Sequence, residues 1–467
     1  MFTLGVAPGD PATDSVVLWT RLAFDPTADD GAGAMPKEVV EVAGHRHRRG
    51  VRAARRRRSP GVAGPRSFDP AASPEACRPG PTTGTGSASA RRRAPSAVPA
   101  PLPDGSPDRF GIAVTNCQMF ETGTCAAWRH LLDEDVDLVA FLGTTSTSTR
   151  AARRDDTLCR IGGSSRSATH RLRYASYRLD TDLRNAHARF PSWRRRPRGG
   201  EQLHGRHPDP TATADVVKAQ KAAAYQAWWE HMPSRLLRRM ARRCRLPGLR
   251  HRRSGPLLPS RRAPGFGRTP LPGSGRAGLD YGDCEAVAGE DRTRLGAEQE
   301  AWFADAVAPS TATWNLVGNP VVLAYVNGGD TDDAYYLSTP GTGSPRPGSV
   351  SSPHWLGRAT GGADRRLCHA GMVLDVHETP FDQSSPIVAP ELMAPPISSV
   401  LFPDDVSGRT PQLRQQINAH GYLVVDVQAD SVTARFRTLG DVADPATTIS
   451  TAATWRVDAG DPVARPV

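Results

Sequence analysis

Cysteine is sparse and never paired in spacing. The seven cysteines, at positions 77, 117, 125, 159, 244, 284 and 368, form no Cys-x-x-Cys pair and no zinc-finger spacing, which excludes a cysteine-built metal module. No apolar run approaches the length of a membrane span, which excludes a membrane-spanning helix in this chain, and Met1 leads directly into strand-like sequence. Apolar residues make up only 38%, little for 467 residues that could hold two or three domains around a large core. What fills the chain instead is glycine (44), proline (42) and arginine. The net charge of +11 and a pI near 9.7 would ordinarily point to an anionic partner. The arginine, however, is clumped in Arg46–Arg58, Arg91–Arg93, Arg150–Arg154, Arg194–Arg198 and Arg235–Arg253, without periodic apolar residues between. Arg, Pro, Gly, Ala and Ser are what GC-rich coding sequence yields when read out of frame. The competing reading of the same charge is a nucleic-acid or acidic-surface binding protein.

The organising stretch is Arg109–Gly143, RFGIAVTNCQMFETGTCAAWRHLLDEDVDLVAFLG. Phe110–Thr115 alternates and is rich in β-formers, so it reads as a buried strand, with Cys117 just past its end. Ala126–Leu132 carries apolar residues at helical spacing, with Trp128, Leu131 and Leu132 on one face. Val136–Leu142 is a second strand that stops at Gly143. Strand, helix and strand in that order make a crossover of a parallel sheet, whose ligands gather at the carboxyl ends of the strands, where Cys117 and Gly143 fall.

VTNCQMF followed by DEDVDLVAFLG resembles the alkaline phosphatase D (PhoD-type) family of metallophosphoesterases. That family follows its second strand with Gly-Asp-Tyr-Ile-Tyr-Glu-Tyr, whose Asp and second Tyr bind metal. Here Gly143 is followed by Thr-Thr-Ser-Thr-Ser-Thr149, so Thr144 and Thr147 stand at those ligand positions. The segment can be encoded as GGC ACT ACA TCT ACG AGT ACG. One G added after the first codon gives GGC GAC TAC ATC TAC GAG TAC, which spells the family motif. The resemblance therefore implies a motif present in the nucleic acid and out of frame in the protein.

Phe2–Leu22 contains a turn at Pro8–Asp14 and the strand Ser15–Arg21, similar to the family's opening. The resemblance implies a small fibronectin type III-like β-sandwich over residues 1–105, degraded after about residue 45, ahead of a catalytic domain over 106–460. Asp10, between Gly9 and Pro11, reads as a turn cap rather than a ligand. His45–Ala100 is Arg/Pro/Ser-rich and by composition a linker. Yet Pro81–Ala90, as CCG ACT ACT GGT ACC GGT TCC GCG TCG GC, read two bases on gives Asp-Tyr-Trp-Tyr-Arg-Phe-Arg-Val-Gly, an alternating strand. The linker thus reads as a lost half-domain.

His170–Phe190 resembles the family's helix with its Tyr-x-x-Tyr-x-x-Asp-x-x-Leu pattern, which leads to a second metal motif, Asp-Asp-His-Glu-Val with an Asn-Asn pair. Here Arg194–His207 stands instead, and a one-base shift restores that motif from suitable codons, placing its two Asp and its His at Arg195, Arg196 and Pro197. Val216–Pro233 is the strongest helix, similar to the family's Tyr-Gln-Ala-x-x-Glu-His-Met-Pro. His231, at its end among aromatics, reads as structural against the alternative of a base or ligand. Leu295–Val307 carries apolar residues at helical spacing and Thr313–Leu323 follows as a buried strand. Ser338–Ser352 read two bases on resembles the family's Trp-Asp-Gly-Tyr-Pro helix start.

The last site motif, Cys368–Val376, is similar to the family's Gly-Asp-x-His: His369 matches, while Leu367 stands in place of Asp. Arg365–Leu367 as CGG CGA CT contains GGC GAC one base on. Gly421–Thr438 reads as a β-hairpin turning near Ala429–Ser431, like the family's closing hairpin.

The strand, helix and strand order points to the α/β fold class. The resemblance implies a metallophosphoesterase-type β-sheet sandwich flanked by helices and preceded by the small N-terminal β-sandwich, both disrupted. It also implies metal-dependent hydrolysis of phosphate esters, with iron and calcium as the metals, no nucleic-acid partner, and export from the cell with an upstream signal peptide lost. Of the implied ligands only Cys117 and His369 remain. Two ligands from different loops do not hold a multi-metal site against water, so neither the metals nor the activity is expected in the polypeptide as written. Without its context Cys117 also reads as a buried small hydrophobe. The rival class is a basic, non-catalytic nucleic-acid or anion-binding protein.

Overall fold

The computed structural model of the chain describes residues 2–11, 16–35, 43–48, 51–56, 71–72, 107–143, 145, 166–194, 214–234, 249–251, 255–259, 305, 309–319, 322–324, 326, 369–378 and 382–467. Its strands begin with β1 (Val6–Gly9), β2 (Val16–Thr20), β3 (Ala43–Arg48), β4 (Val51–Arg56), β5 (Ala71–Ala72) and β6 (Arg109–Thr115). They continue with β7 (Leu138–Phe141), β8 (Ser192–Arg194), β9 (Leu249–His251), β10 (Gly255–Pro259), β11 (Val317–Gly318) and β12 (Gly371–His377). The last are β13 (Ile387–Met393), β14 (Leu413–Ile417), β15 (Gly421–Gln428), β16 (Ser431–Leu439), β17 (Ile449–Asp458) and β18 (Arg465–Pro466). The helices are α1 (Ala126–Leu131), α2 (Arg166–Leu179), α3 (Thr181–Arg189) and α4 (Ala214–His231). The architecture is mixed, rich in sheet with few helices among the described residues. No helix among those residues is long and apolar enough to cross a membrane.

The chain divides into two compact units. One comprises residues 1–104, 148–193 and 203–242, the other 105–147, 194–202 and 243–467. In the first, β1 pairs antiparallel with β2 and parallel with β8, and β2 pairs with β5. Leu4, Ala7 and Trp19 bury their side chains against Ala175 of α2. The stretch 170–190 is two helices, because Asp180 has extended backbone and its carboxylate accepts the N–H of Leu183 at 2.9 Å, capping α3.

In the second unit β6, α1 and β7 form the expected crossover, with β6 and β7 parallel from Ile112↔Leu138 to Thr115↔Phe141. The crossover helix seats Trp128 on Phe141, ring centroids 6.0 Å apart. On the other side of β6 runs β15, antiparallel, followed by β16, β17 and β18. The closing hairpin turns after Gln428, as its alternation requires. A second sheet orders β13, β12 and β14, and Met372, Leu374 and Val376 of β12 pack with Val322, Ala324, Val326, Met393, Phe402 and Val406.

One expectation needs correction. Among the described residues of the strand expected over 313–323, only Val317 and Gly318 are paired, with β10. The N–H groups of Leu323 and Ala324 go instead to the carboxylate of Glu391, at 2.7–2.9 Å. Short pairings also occur within arginine-rich sequence: β3 and β4 form one hairpin, and β9 and β10 form another. Ladder bonds join backbone groups and do not require an apolar face, so composition alone does not exclude them. The first helix of the stretch read as His170–Phe190 begins four residues earlier, at Arg166. The helix expected over 295–307, apart from Asp305, and the stretch 338–366 lie outside the described residues.

Candidate active site

The carboxyl ends of β6 and β7 meet at Cys117 and Gly143. Past Thr115 the chain turns abruptly: Cys117 has φ of +25°, a left-handed backbone that residues with a side chain seldom adopt. The turn is held by Asn116, whose Oδ1 accepts the Cys117 N–H at 2.9 Å and its thiol at 3.0 Å. Gly143 lies directly against this arrangement. A Cβ there would stand 1.9 Å from Asn116 Oδ1 and 2.4 Å from the Cys117 nitrogen, so only glycine lets the two strand ends come this close.

A strap, residues 394–402, crosses these strand ends. Ile397 N–H donates to the Asn116 carbonyl at 2.9 Å, and the N–H groups of Ser398 and Ser399 point to the Cys117 carbonyl at 3.4 and 3.3 Å. The Ser398 hydroxyl donates to Met119 O at 2.8 Å and accepts from Met119 N at 3.0 Å. The far end of the strap meets His369, since Phe402 N–H donates to the His369 carbonyl at 3.1 Å. Between them His420 places Nε2 2.9 Å from the Ser399 carbonyl. Burial holds the His420 pKa below the usual histidine range, and the nearby His369 pushes it the same way, against the bond to Ser399.

Cys117 and His369 are therefore brought to one strap. Cys117 is buried, with 2% exposure, and His369 is half-buried with its Nδ1 closed off from solvent and without a hydrogen-bond partner among the described residues. An orphaned imidazole nitrogen suits a ligand role, yet among the described residues no three His, Cys, Asp or Glu side chains come together around a common point. Among the described residues, Cys117 and His369 alone do not make up a multi-metal centre. Thr144, Thr147, Arg195, Arg196, Pro197 and Leu367 lie outside the described residues.

His231 is structural. It is fully buried in the first unit, stacked on Tyr174 at 5.3 Å, with Nδ1–H donating to Ala227 O at 2.7 Å and Nε2 facing Arg21 Nη1 at 3.0 Å. Burial beside that guanidinium drives its pKa well down, so it stays neutral. Asp10, at φ +42°, donates its N–H to Ser192 O and sits at the turn leaving β1. Sequence reasoning missed Asn116, the strap and His420. Asn116 carried a signal in its place immediately before Cys117, because Asn and Asp bond readily to nearby backbone. His420 carried none.

A family model described as "PhoD-like phosphatase" matches residues 112–436, and a second, "PhoD-like phosphatase, N-terminal domain", matches residues 1–63. The chain belongs to the PhoD-like phosphatases. Alkaline phosphatase D of Bacillus subtilis (strain 168) is 28% identical over 509 residues, spanning 97% of this chain and 80% of that protein. A solved structure described as "Structure of PhoD" is 23% identical and matches with a TM-score of 0.70 over 100% of this chain and 92% of the other, a likeness of fold. The PhoD-like framework makes the chain, by class, a phosphoric ester hydrolase acting on phosphate esters. The family match covers most of β6, α1, β7, the strap and most of the closing hairpin, the elements around Cys117 and Gly143.

Proposed function

We propose that this gene descends from a PhoD-type alkaline phosphatase or phosphodiesterase and that the polypeptide in its present frame does not catalyse the reaction. Hydrolysis of a phosphate ester needs positive charge on the phosphoryl oxygens and an activated water, which clustered metals supply. Thiolate and phenolate donors suit a transition metal such as iron, while Asp and Asn oxygens suit calcium. Cys117 and His369 are the residues of this chain that would take part in holding such ions.

The observation that carries the reading is the pattern of loss. By the resemblance, the family's ligand positions fall at Thr144, Thr147, Arg195, Arg196, Pro197 and Leu367, inside a chain whose residues 112–436 match the family model. Each loss falls in a stretch whose codons, shifted by a base, can spell the family motif. Arginine in place of aspartate puts a cation where a metal must sit, a repulsion of roughly several kcal/mol in a partly dry site. The same reading takes residues 1–105 as the degraded fibronectin type III-like domain and 106–460 as the metallophosphoesterase sandwich, and treats the ancestral product as exported.

Resequencing the locus at high coverage tests the frame. Single-base insertions or deletions at the codons for Thr144, Arg194 and Arg366 are expected if the frame was misread. A clean Thr/Ser reading through 144–149 would remove the misreading and leave a gene disrupted in the organism itself.

A further inference from the structure

A non-glycine residue held at positive φ needs surroundings that over-determine it. At Cys117 the surroundings are asymmetric. Its carbonyl meets the strap through two long bonds, from Ser398 at 3.4 Å and Ser399 at 3.3 Å, whereas its N–H and thiol both meet a single atom, Asn116 Oδ1, at 2.9 and 3.0 Å. Asn116 is itself buried, with 7% exposure. Its carbonyl takes the Ile397 N–H at 2.9 Å, its backbone pairs with Pro396, and its amide nitrogen lies 3.4 Å from Ala394 O. One side chain thus fixes the turn from inside while its backbone fixes the strap from outside. Gly143 closes the remaining side, with room for no further atom.

We propose that Asn116 is the positioning residue for Cys117: its side-chain oxygen holds the left-handed turn and orients the thiol at the carboxyl end of β6. For its catalytic meaning the inference rests on the phosphatase reading; for its geometry it does not. A leucine of similar size at 116 would keep the packing but lose both bonds. The backbone of residue 117 would then relax toward the ordinary region and carry the thiol with it.

Cys125 supplies an internal control, because it is also buried but is held by Gln118, whose amide donates to its sulfur at 3.2 Å. The full chain and its Asn116→Leu and Asn116→Asp variants are treated with iodoacetamide at one fixed pH, and labelling of each cysteine is followed by mass spectrometry. In Asn116→Leu, labelling of Cys117 should speed up about tenfold or more while Cys125 stays within about twofold, the mark of a local opening. In Asn116→Asp, which keeps the accepting oxygen, Cys117 should return to within about threefold of the parent. A second arm adds Cys117→Gly to Asn116→Leu, since glycine adopts positive φ without help; the double variant should regain the denaturation midpoint lost by the single one. Should Asn116→Leu not fold, the double variant should. The proposal is overturned if both cysteines speed up together, if neither does, or if Cys117→Gly restores nothing. Neither arm reads phosphatase activity, so failure of the functional reading leaves both intact.

Discussion

Arg21 on the segment after β2 donates to Glu230 near the end of α4 at 3.2 Å, with both side chains buried to 3% exposure or less. Arg171 of α2 grips the same carboxylate through two bonds, at 2.6 and 2.8 Å, and Gln226 adds a third donor at 2.8 Å. Burial lowers the Arg21 pKa, and Glu230 raises it again. Glu230→Ala leaves Arg21 and Arg171 facing each other in the interior without their shared anion. The expected cost is roughly 3–5 kcal/mol, the range for breaking a buried pair from one side. Urea denaturation should show the midpoint falling steeply. A midpoint near that of the parent would show the pair to be dispensable.

Gly143→Ala tests the close approach of the strand ends. The added methyl meets Asn116 Oδ1 and the Cys117 backbone nitrogen, neither of which can swing aside without breaking the turn. Overpacking of this kind costs about 1–3 kcal/mol, and here it also displaces Cys117. A lowered midpoint together with faster labelling of Cys117 is expected. Unchanged values for both would mean that the loop after β7 yields easily.

Glu391 predicts a pH dependence. Burial pushes its pKa up to about 7, against the two backbone N–H bonds from Leu323 and Ala324, which act to lower it. A carboxyl that holds its proton more tightly folded than unfolded stabilises the fold at low pH. That contribution is full below the ordinary carboxylate range near 4.5 and is lost as pH rises through about 7. Because the residue keeps some contact with solvent, the change should be a fraction of the roughly 3 kcal/mol that such a shift would carry. Melting temperatures between pH 5 and pH 8.5 should fall more in the parent than in Glu391→Gln, which cannot ionise. Parallel curves would refute the assignment.

How far the sequence revealed all this depends on the range of the interactions. The crossover of β6, α1 and β7 and the hairpin of β15 and β16 were legible because period and turn chemistry are local. Cys117 and His369 were singled out through resemblance, and both meet the backbone of one strap. The division of 170–190 at Asp180 was readable in principle, as a capping residue three positions before Leu183. What stayed hidden is long-range: Arg21 with Glu230, Glu391 with Leu323 and Ala324, and His420 with Ser399 join residues whose partnership no spacing rule encodes. The hairpins β3–β4 and β9–β10 stayed hidden for another reason, since backbone pairing leaves little trace in composition.

On the reading proposed above, the scaffold is that of a phosphatase and the present reading frame has removed its ligands. The direct test assays two polypeptides side by side on chromogenic phosphate mono- and diesters at alkaline pH. One is the chain as written. The other carries the frame-repaired segments, including Thr144→Asp, Thr147→Tyr, Arg195→Asp, Arg196→Asp, Pro197→His and Leu367→Asp. The written chain should show no hydrolysis. The repaired chain should hydrolyse ester, lose activity to a chelator, and lose most of it on Cys117→Ala or His369→Ala. Activity in the written chain, or none in a folded repaired one, would contradict the account.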